Sequence, residues 1–148
     1  MKHILWIDDD RHRFNDIEYN FFKNINASIE NSMTIEDAIL KMELVKYDII
    51  ILDLILPIPD ESFINSRFKN ISKEFLLMEN CRQFCGITFI ELIRNGKLRN
   101  IVRDNIPIII YSVEPEFSNH IDDPNTYHIC KSTFYYDNPL LDVIKELV

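Results

Sequence analysis

The chain has 148 residues, enough for one domain with a full-sized core, and its 47% hydrophobic and 27% charged residues mark it as globular. A formal net charge of −8 argues against a nucleic-acid surface and suits a soluble, cation-binding protein. No apolar stretch reaches transmembrane length, the N-terminus runs straight into a strand with no signal-peptide pattern, and three cysteines without framework spacing fit reduced thiols in a cytoplasm. The two glycines, Gly86 and Gly96, exclude a Gly-rich phosphate loop.

Lys2 to Ile7 reads as a buried strand that ends in Asp8-Asp9-Asp10. Phe14, Ile17, Phe21 and Ile25 then recur at helical spacing, predicting a helix over roughly 11–23 that Asp9 or Asp10 would cap. A short strand is expected at Ala27 to Glu30. Thr34, with Asp37 three residues on, resembles a capping box for a helix whose stripe is Ile35, Ala38, Ile39, Met42 and Val45. Ile49-Ile50-Ile51-Leu52 between Asp48 and Asp53 is a continuous apolar run, the pattern of a central parallel strand buried on both faces. Asp53 stands at its carboxyl end, where open α/β sheets place their chemistry.

After Pro57 the pattern breaks, and Ile64, Phe68, Ile71, Phe75 and Met78 predict one or two helical pieces packed on the core. Gly86 to Arg94 resumes an amphipathic helix closed by Asn95-Gly96. Ile106 to Tyr111 is a further buried strand ending at Ser112, and Tyr127 to Cys130 a fifth ending at Lys131. Between them, Pro115 and Pro124 leave room for a short helix only. Asp137-Asn138-Pro139 has the form of a helix start, with Leu140, Ile144 and Leu147 as the buried edge. Strands alternating with helices specify a parallel α/β sheet.

Such a sheet gathers Asp8 and Asp9, Asp53, Ser112 and Lys131 at its strand ends. Crowded carboxylates repel one another and partly protonate unless a cation joins them, and Mg²⁺ takes carboxylate oxygens and bridges readily to phosphate. Asp53 is then a nucleophile for phosphorus, with Lys131 as a point charge and Ser112 as a hydroxyl donor to the phosphoryl oxygens.

These stretches resemble the receiver domain of two-component response regulators, the CheY-like family. Ile-Leu-Trp-Ile-Asp-Asp-Asp is similar to its N-terminal acidic motif, and Ile-Leu-Asp-Leu-Ile-Leu-Pro to its phosphoacceptor motif. Ile-Pro-Ile-Ile-Ile-Tyr-Ser resembles its fourth strand, His-Ile-Cys-Lys its fifth, and Gly-Ile-Thr-Phe-Ile-Glu-Leu-Ile-Arg its third helix. The resemblance covers the chain apart from the segment after Pro57. It implies a CheY-like, flavodoxin-like doubly wound sheet of five parallel strands in the order 2-1-3-4-5, with helices on both faces. It implies a single receiver domain over 1–148, with an inserted segment at about 58–85. Mg²⁺, or Mn²⁺ in its place, would be held by Asp8, Asp9, Asp53 and the backbone carbonyl of Ile55. Asp53 would be the phosphoacceptor, Ser112 and Lys131 would bind the phosphoryl group, and His128 holds the place of the family's aromatic switch. The donor would be a sensor histidine kinase or phosphotransfer protein. The output would be a protein effector in the cytoplasm, reached through protein contacts since no output domain follows the last helix; pairing of two copies is a family habit.

Besides His128, the sequence departs from the family in four places. The 28 residues between Pro57 and Gly86 replace a short loop and would form a lid or docking surface. Ser132 follows Lys131 where the family has a cis proline, so that loop is expected to be rearranged. Val113 replaces a small residue beside the site and would narrow donor access. The helix after the fourth strand, part of the family's signalling face, is cut short by prolines.

Plainer readings compete with these. An acidic triplet alone is a strand-ending turn with a cap, and it becomes a metal site through the company of Asp53, Ser112 and Lys131. Cys81 and Cys85, with His120 or His128, have spacing too loose for zinc and read as packed thiols. A metal-dependent phosphohydrolase would need an acid/base two residues after the nucleophile, where Ile55 stands; an apolar residue there instead suggests slow self-hydrolysis of the acyl phosphate. The remaining rival is a receiver-like binding module that works without phosphorylation.

Overall fold

The computed structural model describes residues 1–15, 25–68, 71, 81–131 and 138–148. Five parallel strands form one sheet: β1 (Lys2–Ile7), β2 (Ala27–Ser32), β3 (Ile49–Leu52), β4 (Ile108–Ser112) and β5 (Thr126–Cys130). Their order is β2-β1-β3-β4-β5, as the resemblance implies. The register pairs Ile7 with Leu52 and Leu52 with Ile110, which aligns the carboxyl ends of the three inner strands.

Alternation along each strand sends side chains to two cores. On one face Leu5, Ile7, Ile50, Leu52, Ile108 and Ile110 pack against α2 (Ile35–Leu44), α3 (Glu61–Arg67) and α4 (Cys81–Arg94). On the other, Ile4, Trp6, Ile49, Ile51, Ile109, Tyr111 and Ile129 meet Phe14 of α1, whose described part is 11–15, and Leu140 and Ile144 of α5 (Asn138–Leu147). All four β3 residues are at most 1% exposed. At ~1.5–3 kcal/mol for each fully buried large apolar side chain, such a run can lie only in the middle of the sheet.

The caps follow the local sequence. Asp10 Oδ1 accepts from Arg13 N at 3.1 Å and so caps α1. Thr34 Oγ1 accepts from Asp37 N at 3.1 Å at the start of α2, a bond of about 1 kcal/mol. Asp60 Oδ1 accepts from Ser62 N at 2.7 Å and Phe63 N at 3.2 Å at the start of α3. Gly96, at φ +75°, ends α4 in the left-handed conformation that glycine adopts without strain, with Lys97 N bonded to Leu92 O at 3.0 Å.

Several boundaries differ from expectation. β2 runs on to Ser32, because residues 27–32 pair along the whole of β1. β4 begins at Ile108, two residues late, since Pro107 has no N–H to give the ladder. α4 starts at Cys81, five residues before Gly86, so the end of the inserted segment is a helical extension. Ile64, Phe68 and Ile71 of that segment are buried in the core, and Cys85 is a fully buried thiol. The β4–β5 connection holds a single 3₁₀ turn, Pro115–Ser118. Helical positions 16–23, Phe75 and Met78, the Lys131–Ser132 bond and the Asp137 cap lie outside the described residues.

Candidate functional site

β1 and β3 are adjacent, so the residues that follow them are adjacent too. Asp8 N donates to Ser32 O at 2.9 Å and Asp53 N to Ile7 O at 2.9 Å, continuing the ladder one step past each strand. The ligand atoms of Asp8, Asp9 and Asp53 all lie within 4.8 Å of one another. Asp8 is 0% and Asp53 5% exposed, whereas Asp9 faces solvent. Hard carboxylate oxygens, two buried and one open to water, form a donor set that fits Mg²⁺.

Lys131 supplies the positive charge. Its Nζ lies 2.7 Å from Asp8 Oδ2 and 2.9 Å from Asp53 Oδ2, with the side chain only 6% exposed. Burial pulls the ammonium down, but the charges of Asp8 and Asp53 outweigh it and hold Lys131 above the ordinary lysine value. Asp8 moves up as well: burial dominates there, and repulsion from Asp53 adds to it against the attraction of Lys131. One ammonium therefore balances a pair of buried carboxylates incompletely, which leaves room for a second cation.

The other expected residues surround this core. Ser112 is fully buried at the end of β4, with Glu114 N at 3.4 Å from its hydroxyl, and Lys131 N donates to Ser112 O at 2.8 Å. Ile55 N donates to Asp53 Oδ1 at 3.2 Å, closing the turn after β3. Val113 is 55% and Ile55 38% exposed, so both are available at the rim. His128 is engaged elsewhere, with Ser118 and Ile121 of the β4–β5 connector.

Three contributors escaped the sequence reading. Trp6 Nε1 donates to Asp8 Oδ2 at 3.4 Å; strand alternation puts residues i and i+2 on one face, so this pairing was readable. Gly86 packs directly against the turn after β3: its N–H bonds Leu54 O at 3.0 Å, and a Cβ there would lie 2.4 Å from Asp53 O and 2.7 Å from Leu54 Cα. Tyr111, the residue before Ser112, meets Arg13 Nη1 through its hydroxyl at 3.0 Å and lies edge-on to Trp6. Nothing local in the sequence links Gly86 to Asp53 or Tyr111 to Arg13.

No family model and no curated protein matches the sequence. Solved structures do match. The response regulator TrrA of Thermotoga maritima in complex with Mg²⁺–BeF aligns over 100% of both chains with a TM-score of 0.63 at 20% identity. The receiver domain of Francisella response regulator 1452 aligns over 99% of this chain and 96% of its own, with a TM-score of 0.60 at 18% identity. A CheY-like receiver domain protein of Methanospirillum hungatei aligns over 99% and 92%, with a TM-score of 0.58 at 20% identity. The chain has the receiver fold. In a receiver fold, β1, β3, β4 and β5 deliver Asp8, Asp53, Ser112 and Lys131 to one end of the sheet, whatever the identity of the intervening residues. Among the described residues no helix is long and apolar enough to cross a membrane.

Proposed function

We propose that the protein is a receiver of a two-component pathway, a single domain over 1–148 with an inserted segment at about 58–85, that accepts a phosphoryl group on Asp53. The observation that carries this reading is the clustering of Asp8, Asp9 and Asp53 within 4.8 Å, with Lys131 bridging two of them. A carboxylate oxygen of Asp53 attacks phosphorus, the P–N bond of a donor phosphohistidine breaks, and the histidine keeps the electron pair and regains a proton. Asp8, Asp9, Asp53 and the Ile55 carbonyl would hold Mg²⁺, which supplies charge neutralisation and orientation for the transferring group. Lys131 then turns from Asp8 to a phosphoryl oxygen while staying near Asp53, and the Ser112 hydroxyl donates to another. The movement of these two side chains alters the surface around the β4 and β5 ends, which passes the signal to a protein partner in the cytoplasm.

The test is intact mass after incubation with Mg²⁺ and acetyl phosphate or phosphoramidate, with Asp53→Asn alongside. One added phosphoryl group, absent from Asp53→Asn and without Mg²⁺, is the expected result. No adduct, with beryllofluoride also failing to bind, replaces this reading with a phosphorylation-independent binding module. The replacement of a connecting helix by the 3₁₀ turn Pro115–Ser118 favours that second reading, because it alters the surface through which a receiver-type signal would leave.

A further inference from the structure

At the amino ends of β3 and β4, away from the carboxylate cluster, the α2–β3 and α4–β4 connections leave a cavity of about 270 Å³ between them. Its floor is apolar: Met42, Tyr47 and Val102 are buried and Ile101 is half-buried. The Tyr47 hydroxyl is engaged by Glu30, so the ring is what this residue offers the cavity. Lys46, Arg99 and Arg103 stand exposed around it, and no carboxylate lines it. Over the whole chain 24 acidic residues outnumber 16 lysines and arginines, yet here the bases gather alone.

Elsewhere the cations are matched: Lys41 pairs with Asp37, Arg67 with Glu43, Arg94 with Asp123, and Lys131 with Asp8 and Asp53. At the cavity only Arg99 is matched, to Asp104 at 2.9 Å. Arg103 makes one long bond, from Nη2 to Asp48 O at 3.4 Å, while the Asp48 carboxylate is bonded to His3 N at 2.9 Å. Lys46 makes no ion pair among the described residues. Exposed cations alone are a solvated face. Set around a buried apolar floor, they give a ligand both a place for a ring and a counter-charge for an anion.

We propose that this cavity binds a small ligand in which one planar ring carries a phosphate or a carboxylate. The ring would lie on Met42, Tyr47 and Val102, with a guanidinium plane able to stack on it, and the anionic group would reach Arg103 and Lys46. The volume sits at the small end of what drug-sized ligands occupy, which suits one ring system and one anionic group. The site stands apart from Asp53 and needs no phosphoryl transfer, so the failure of either reading leaves the other standing.

The test is a ¹H–¹⁵N NMR titration of the full chain in Mg²⁺-free buffer with phenyl phosphate, benzoate and AMP. Inorganic phosphate and adenosine serve as the anion and the ring alone. Saturable shifts are expected at the amides of Lys46, Tyr47 and residues 100–103, and whichever of the three ring anions binds tightest identifies the source. That ligand should bind about tenfold more tightly than inorganic phosphate, the factor that burying one ring supplies, and more tightly than adenosine. Arg103→Gln should weaken it about tenfold, the worth of one charge-assisted hydrogen bond, and Lys46→Gln by less. Asp53→Asn should leave the affinity unchanged. The proposal is overturned if no ring anion shifts these amides by about 10 mM, below which even a weak small-molecule site fills. It also falls if inorganic phosphate or adenosine binds as tightly, if Arg103→Gln and Lys46→Gln both leave the affinity unchanged, or if Asp53→Asn abolishes the shifts.

Discussion

Two ionic centres, one half-buried and one buried, stand at opposite ends of the sheet, and they are built on opposite principles. At the amino ends of β4 and β5, the Arg94 guanidinium is saturated. Nη1 donates to Asp104 O at 2.8 Å and Ile106 O at 2.7 Å, Nη2 to Asn125 O at 3.1 Å and Thr126 Oγ1 at 2.8 Å, and Nε to Asp123 Oδ2 at 3.1 Å. At the carboxyl ends, a single ammonium serves the Asp8 and Asp53 carboxylates, with Asp9 beside them in solvent. The first centre has every donor spent and can only hold the loops that launch β4 and β5. The second is short of positive charge and can exchange partners. A buried charge that is fully bonded serves stability; one left under-compensated at a strand end is available for chemistry.

The comparison breaks most sharply at Arg94. Arg94→Ala leaves three main-chain carbonyls, Asp123 and Thr126 without their donor, and should cost about 3–5 kcal/mol in urea unfolding. Millimolar Mg²⁺ should restore none of it. Lys131→Met should cost less, about 1–3 kcal/mol, because Asp8, already held above its ordinary value by burial, can take up a proton in place of the ammonium, and here Mg²⁺ should recover most of the loss in the same experiment. Equal Mg²⁺ effects on the two variants would erase the distinction between the centres.

Gly86→Ala probes the exchangeable centre from behind. A Cβ 2.4 Å from Asp53 O must push α4 and the turn after β3 apart, so a loss of about 1–3 kcal/mol is expected, with slower modification at the proposed acceptor Asp53 by acetyl phosphate. The smallest effect is confined to acid. Burial raises Asp123, but the Thr126 hydroxyl and the Arg94 charge outweigh it and hold the carboxyl below its ordinary value. Its contribution is therefore complete above the ordinary carboxylate range and drains as pH falls through the depressed value. Stability profiles of Asp123→Asn and the parent chain should differ at neutral pH and converge in acid.

Most of the sheet was legible along the chain. The apolar run of β3 has one home in such a fold, and Asp53 follows it by position alone. Period-3.6 stripes located α2 and the core side of the inserted segment, where Ile64, Phe68 and Ile71 are buried. Boundaries were less readable where pairing decides them, as at β2, which follows the length of β1 beside it. At the site, the expected cluster of Asp8, Asp9, Asp53 and Lys131 forms, since parallel strands in one order carry their following residues to one edge.

What the sequence by itself determined was the set of strands, their polarity and which side chains follow them, because hydrophobic periodicity and turn chemistry are local properties. What the tertiary structure alone decided was the pairing of those side chains. Lys131 could have faced water, His128 could have faced the carboxylates, and Gly86 could have been a helix start of no consequence. Each was settled by contacts between residues far apart in the chain, such as Lys131 with Asp8 and Gly86 with Asp53, whose energies depend on distance and burial and leave no periodic trace in the sequence.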